Sequence, residues 1–272
     1  MTDCKAYTSM KKAELKRKIA DLKETPKLVI IQVGDDPASN SYIKGKIKDC
    51  EEVGIDIEVK KFLEQTTEGL LQLINVLNVD LSVSGILVQL PLPENIDKRA
   101  VQNAVKPEKD VDGFSEHSPY RPCTPLGIIN YLKYIGYHFE GKNACVIGRS
   151  RTVGLPLAKM LLDENCTVTV CHSRTKNLSR IIQRSDIVFT AIDKPAYFYD
   201  PETFELGQDI IDIGLGRDDT GKLCGNIARN YADVLRQFYE PTDGIFLSGV
   251  GNVGLLTRLA LLENLYKAKV DN

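Results

Sequence analysis

A-C-V-I-G-R-S-R-T-V-G-L-P-L-A-K-M-L-L-D-E-N-C-T-V-T-V-C-H-S-R-T, residues 144 to 175, is the stretch that decides the fold. Ala144 to Ile147 is a short apolar run that breaks at Gly148. Val153, Leu157, Met160 and Leu161 then recur at helical spacing, and a β-branched run follows at Thr167 to Val170. Strand, glycine turn, helix, strand makes a parallel pair with a helical crossover. Backbone N–H groups left free where such a helix starts suit an anion, here a dinucleotide pyrophosphate. The spacing Gly148-x-Ser150-x-x-x-Gly154 is one residue longer than the generic fingerprint, with serine at its middle. The second strand runs into Cys171-His172-Ser173-Arg174-Thr175, with no acid to hold a ribose 2′-hydroxyl. The Ser173 hydroxyl and Arg174 guanidinium suit a 2′-phosphate, and Arg149 beside the turn adds a charge-assisted contact, so NADP is expected over NAD. A plain crossover whose glycines and arginines are structural fits the same letters.

Composition bounds what surrounds this unit. At 272 residues the chain has room for one large or two medium domains with an ample core. Its apolar fraction of 43% and charged fraction of 26% are those of an ordinary soluble protein. A net charge of −2 gives no overall field to draw in nucleic acid or an anionic membrane, so neither is expected as a partner. Lysines crowd between Lys5 and Lys23, but acids and apolar residues interleave, which reads as a solvated helix face. Seven scattered cysteines form no C-x-x-C pair and follow no secretory leader, so reduced thiols in the cytoplasm are expected. His117, His138 and His172 stand at no ligand spacing, and no metal site is expected. No apolar run approaches the roughly 18 residues of a membrane helix.

Elsewhere the chain alternates strand and helix. A helix over residues 9 to 23, stopped by Pro26, precedes a buried strand at Leu28 to Val33. A turn through Gly34 to Ser39 leads into a helix to Val53, ended by Gly54. A strand at Ile55 to Lys60, a helix at Thr66 to Asn78 and a strand at Val83 to Gln89 complete this half, whose sheet should be mainly parallel. Asn95 to Pro125 reads as a link with a short helix at Lys98 to Ala104. Beyond it come a helix at Leu126 to Ile135, the opening unit, and a helix near Asn177 to Arg184. Strands at Asp186 to Ala191 and Asp209 to Ile213 follow, with a turn at Asp218 to Gly221 and a closing helix from Leu255 to Lys269.

Three places in the first half gather polar groups at the ends of elements. Tyr42 and Lys46, four apart, share a helix face and could flank one ligand. Gln89 ends an apolar strand. Asp110 and Asp112 put two carboxylates in the link. A surface pair, a strand-end amide and a turn acid would account for each taken alone. Taken together, with the strings around them, they resemble the bifunctional methylenetetrahydrofolate dehydrogenase/methenyltetrahydrofolate cyclohydrolase family. The matching strings are V-G-D-D-P-A-S-N-S-Y-I-K-G-K (33 to 46), G-I-L-V-Q-L-P-L-P (85 to 93), P-E-K-D-V-D-G-F (107 to 114), P-C-T-P-L-G (122 to 127), G-R-S-R-T-V-G-L-P (148 to 156) and T-V-C-H-S-R-T (169 to 175).

The resemblance implies an α/β protein with a folate-binding domain at 1–118, completed by a closing helix at 254–272. A Rossmann-type NADP-binding domain at 119–253 would face it across a cleft. It implies oxidation of 5,10-methylenetetrahydrofolate with NADP, hydrolysis of the methenyl product to 10-formyltetrahydrofolate, and a homodimer formed through the cofactor domain. Carried over by residue, Lys46 is the catalytic lysine, Tyr42 stacks on the folate, Gln89 orients the lysine and Asp112 hydrogen-bonds the pterin. Gly148, Arg149, Ser150, Gly154, Ser173, Arg174, Thr190 and Ile213 form the cofactor set.

Departures cluster on the cofactor side. The family's T-P-V-P-G-G-V-G-P-M-T reads Leu247-Ser-Gly-Val-Gly-Asn-Val-Gly-Leu-Leu-Thr257, without a proline. Its A-x-G-x-P reads Ala191-Ile-Asp193-Lys-Pro195, with a side chain where glycine let backbone come close. Its G-D-V reads Gly225-Asn226-Ile227, and the interval between Phe114 and Pro122 is short. A monofunctional cyclohydrolase, an NAD-preferring dehydrogenase, or a folate- or NADP-binding protein without turnover therefore stand as alternatives.

Overall fold

The computed structural model describes residues 3–198, 200, 203–205, 207–239 and 244–271. Apolar strands and amphipathic helices assemble into two compact units, Ala6–Cys123 with Arg258–Asn272, and Thr124–Thr257 with Met1–Lys5. Both units are α/β with parallel main sheets.

In the first unit β1 (Lys27–Val33) is the middle strand, flanked by β2 (Asp56–Phe62) and β3 (Gly85–Val88), both parallel to it. Leu28, Val29, Ile30 and Ile31 are fully buried, because a parallel strand covered on both faces needs a continuous apolar run rather than alternation. One face is covered by α3 (Thr67–Val79) and α4 (Lys98–Ala104), where Leu70, Ile74 and Val101 close a core with Val29 and Ile31. α2 (Pro37–Val53) joins β1 to β2.

α1 (Cys4–Ala20) starts and ends earlier than the expected 9 to 23. Cys4 and Tyr7 are buried, so burial rather than periodicity fixes its first turn. α5 (Cys123–Tyr134) begins inside the expected link and carries Pro125 in its first turn, where a missing N–H costs no helix bond.

The second unit is built on β4 (Asn143–Ile147), α6 (Gly154–Asp163) and β5 (Thr167–Cys171), the strand, helix and strand of the opening stretch. β6 (Ile187–Thr190), β7 (Asp209–Asp212) and β10 (Phe246–Leu247) extend the sheet in the order β10-β7-β6-β4-β5, every described pair being parallel. The chain therefore leaves β4 to one side for β5 and to the other for β6, and β4 is the switch point. α7 (Leu178–Gln183) and α8 (Arg229–Tyr239) pack on one face, with Tyr231, Leu235 and Tyr239 in its core.

The turn at Asp218 to Gly221 closes a two-stranded hairpin of β8 (Gly216–Arg217) and β9 (Leu223–Cys224). α8 and β10 lie outside the elements expected from the sequence: α8 buries Tyr231, Leu235 and Tyr239 at helical spacing, and β10 is two residues long, too short to show any period. α9 (Gly254–Asp271) ends the fold, its residues from Arg258 onward belonging to the first unit. Among the described residues no helix is long and apolar enough to cross a membrane.

Candidate active site

Lys46 is set by α2. Asp36 caps the helix by accepting from Ser39 N at 2.7 Å, Pro37 opens its first turn, and Gly54, at φ 84°, closes it. Between these stops the buried positions are Ser39, Ile43, Lys46, Asp49, Cys50 and Val53, so helical period turns a lysine onto the packed face. Lys46 Nζ donates to Gln89 Oε1 at 2.9 Å, across 43 residues of chain. Gln89 Nε2 donates to Leu90 O at 2.7 Å, which fixes the carboxamide with its oxygen toward the lysine.

Lys46 is 8% exposed. Lost hydration holds its pKa below the ordinary 10.5, against the opposing pull of the Asp112 carboxylate. Burial pushes Asp112 up from the usual carboxylate range, with Lys46 drawing it back. An amine made less basic beside a carboxyl made more basic is a pair suited to moving protons. Tyr42 lies one turn earlier, half-buried, its phenol held protonated by burial. Asp110, the other acid of the link, is structural. Its carboxylate accepts from Ser115 N at 2.7 Å, and its carbonyl from Ser118 Oγ at 2.9 Å.

Several neighbours of this site carried no signal in the sequence. The Cys123 thiol donates to Val111 O at 3.4 Å, and burial, with the Asp112 carboxylate adding to it, keeps the thiol neutral. Asn264 Nδ2 donates to Val111 O at 2.9 Å and Arg121 O at 3.1 Å, steadying the backbone beside Asp112. Arg258 Nε binds Asp49 Oδ2 at 2.5 Å, and Lys12 Nζ binds Asp49 Oδ1 at 2.9 Å. These contacts join points up to 209 residues apart, and no local spacing announces them.

In the other unit the C-terminal ends of β4, β5 and β6 converge on a cavity of about 350 Å³, within the rough 300–1,000 Å³ range of ligand pockets. Ile147 to Ser150, His172 with Ser173, and Ala191 to Lys194 line it. Gly148 stands at φ +123°, and a Cβ there would strike Ala191 O; a Cβ on Gly154 would strike Gly148 O. The two glycines thus let the turn pack directly on the end of β6 and on the start of α6, which sets the backbone course along the cavity. Ser150 Oγ accepts from Val153 N at 3.2 Å and Gly154 N at 3.3 Å, so two of the amides expected to be free are capped from within.

Of the expected cofactor set, Gly148, Arg149, Ser150 and Ser173 line the cavity, and Gly154 lies beneath the turn. Arg174 is exposed beyond Ser173, its N–H donating to His172 Nδ1 at 3.1 Å. Thr190 and Ile213 are buried away from the lining. Thr190 Oγ1 donates to Asp212 Oδ1 at 2.8 Å, and Ile213 N to Thr190 O at 2.8 Å. Asp193, singled out as a departure, and Lys194 face the cavity. Among the described residues no cluster of His, Cys, Asp and Glu could hold a metal.

Fold and site define a dinucleotide-binding α/β protein whose other unit holds a buried lysine poised by an amide. The chain belongs to the tetrahydrofolate dehydrogenase/cyclohydrolase family. Residues 2–112 match that family's catalytic domain and residues 122–272 its NAD(P)-binding domain. The chain is 44% identical to the bifunctional protein FolD of Lachnoclostridium phytofermentans, over 98% of this chain and 97% of that one. It is similar to the crystal structure of FolD methylenetetrahydrofolate dehydrogenase/cyclohydrolase from Campylobacter jejuni, with a TM-score of 0.90 and 38% identity over 99% of this chain and 98% of that one. The Trypanosoma brucei enzyme complexed with NADP and an inhibitor aligns with a TM-score of 0.85 and 29% identity, over 100% of this chain and 98% of that one.

Proposed function

We propose that the chain oxidises 5,10-methylenetetrahydrofolate to 5,10-methenyltetrahydrofolate with NADP and hydrolyses that product to 10-formyltetrahydrofolate. The observation that carries the reading is the buried Lys46 held by Gln89 beside Asp112, in a chain whose two halves match the family's two domains. NADP, when bound, accepts the hydride from the methylene carbon. That step asks for alignment and little proton transfer, because the folate nitrogens stabilise the cation formed. The Tyr42 ring offers the folate a stacking face, and Asp112 hydrogen-bonds the pterin.

In the hydrolysis, water adds to the methenyl carbon and the bond from that carbon to N5 breaks. Lys46, in its amine form, takes one proton from the attacking water and, as the ammonium, returns it to N5, while the remaining hydroxyl proton is lost to solvent as the formyl carbonyl forms. A cationic substrate nearby disfavours the ammonium further, in the same direction as burial. Gln89 keeps Nζ in place through both halves of the cycle.

On the cofactor side Gly148 and Gly154 admit the pyrophosphate. Arg149, Ser150, Ser173 and Arg174 meet phosphate oxygens, and Thr190 and Ile213 support the site from below. Seven free, buried thiols suit the reducing cytoplasm, and the working form is a homodimer joined through the NADP-binding units, to be weighed by sedimentation equilibrium.

A paired assay tests the reading. Methenyl formation is followed with NADP and with NAD, and the decay of supplied methenyltetrahydrofolate without nucleotide. Both activities, with NADP preferred, are expected. Hydrolysis alone would mean that the changes at Asp193 and in residues 247–257 have disabled hydride transfer. Loss of both would leave a binding protein.

A further inference from the structure

Beneath the dinucleotide cavity, one side chain holds the loop that forms a wall of it. Asn226 is fully buried. Its Oδ1 accepts from Ile192 N at 3.1 Å, and its Nδ2 donates to Ile192 O at 2.7 Å and to Lys194 O at 2.9 Å. Both residues, with Asp193 between them, line the cavity. The backbone on either side is tied to the same segment, Ala196 N to Gly225 O at 2.9 Å and Phe198 N to Asn226 O at 2.9 Å.

Asn226 is anchored from below. Its own N–H donates to Asp212 Oδ1 at 2.8 Å, and the same carboxylate accepts from Ile227 N at 3.2 Å and Thr190 Oγ1 at 2.8 Å. A chain of hydrogen bonds thus runs from the ends of β6 and β7 through Asp212 and Asn226 to Ile192 and Lys194. Geometry fixes the amide's orientation, since the group facing two carbonyls must be the donor. Aspartate, the same size, could still accept from Ile192 N, but its second oxygen would face two carbonyl oxygens and replace two attractions with two repulsions.

We propose that Asn226 is a positioning residue for the dinucleotide, its carboxamide holding the Ile192–Lys194 wall of the cavity in its nucleotide-binding shape. The proposal rests on the NADP reading above. The side chain packs against Gly214 and hydrogen-bonds only to the wall, so it acts through Ile192, Asp193 and Lys194.

Calorimetric titration with NADP of the wild type, Asn226→Asp and Asn226→Ser tests it, with a thermal melt of each. Asn226→Asp should weaken NADP binding tenfold or more at a binding stoichiometry near that of the wild type, and Asn226→Ser by a smaller factor. A merely structural role would lower the stoichiometry and the melting temperature and leave the dissociation constant of the folded fraction where it was, which would overturn the proposal. Wild-type protein gives a second readout that needs no variant. The amides of residues 192 and 196 should be protected from hydrogen exchange before NADP is added, and rapid exchange there until NADP binds would equally overturn it. Failure of the wild type to bind NADP at all would instead remove the cofactor reading on which the proposal rests.

Discussion

Lys46 shows what one residue owes to its surroundings. An exposed lysine is a cation across the physiological range, whereas burial leaves this one short of hydration, and its amine form is populated at lower pH than in a free side chain. The sign is definite. A lowered ammonium pKa puts the base limb of methenyl hydrolysis below 10.5, and the rate should rise with pH and level off before the ordinary lysine range. A profile still climbing at pH 10.5 would count against Lys46 as the base. Lys46→Met, close in length and without a titratable group, should leave under a few per cent of the hydrolysis rate, read as methenyl decay. Ser173 carries a separate prediction from its place on the cavity. NADP should be used with the higher kcat/KM, and equal values for NADP and NAD would show that the 2′-phosphate is not read there.

Elements bring such residues together, and here the legibility of the sequence divides. The unit β4, α6 and β5 was legible because periodicity switches from strand to helix and back within some thirty residues, and Gly148 marks the switch. The Tyr42 and Lys46 spacing was legible for the same reason, both lying on one helix. Gln89 was named as the lysine's partner through the family resemblance, but Asp49, Arg258 and Asn264, and Asn226 in the other unit, act across contacts that exist only once the chain is folded. Thr190 and Ile213 sit at strand ends below the cavity lining, where their bonds run to Asp212 and to each other.

Gly148 tests this level. Its φ of +123° is open to glycine and strained for any other residue, and a Cβ would meet Ala191 O at the end of β6. Gly148→Ala should therefore cost about 1–3 kcal/mol of stability, measured as a shift in urea midpoint, and should weaken NADP binding as the β4 and β6 ends separate. An unchanged midpoint would show that the turn relaxes without strain.

At the scale of the molecule, the Lys46 unit is discontinuous in sequence: Ala6–Cys123 is completed by Arg258–Asn272. The returning segment is no ornament. Leu259, Leu261, Leu262 and Leu265 of α9 are at most 3% exposed, and Gly85 at the start of β3 has no Cβ because Leu265 and Val111 occupy that space. Asn264 adds two hydrogen bonds to the backbone on either side of Asp112. Burying four leucines contributes roughly 6–12 kcal/mol, comparable to the whole net stability of a domain, about 5–15 kcal/mol. A chain ended at Thr257 should therefore lose the packing that holds Lys46 and Gln89 in register, although both residues remain in it. The expected outcome is no methenyl hydrolysis together with strong binding of an apolar dye, reporting the opened core. Hydrolysis at near the wild-type rate would mean that Ala6–Cys123 folds without its last helix and that α9 is an addition to the site rather than part of its foundation.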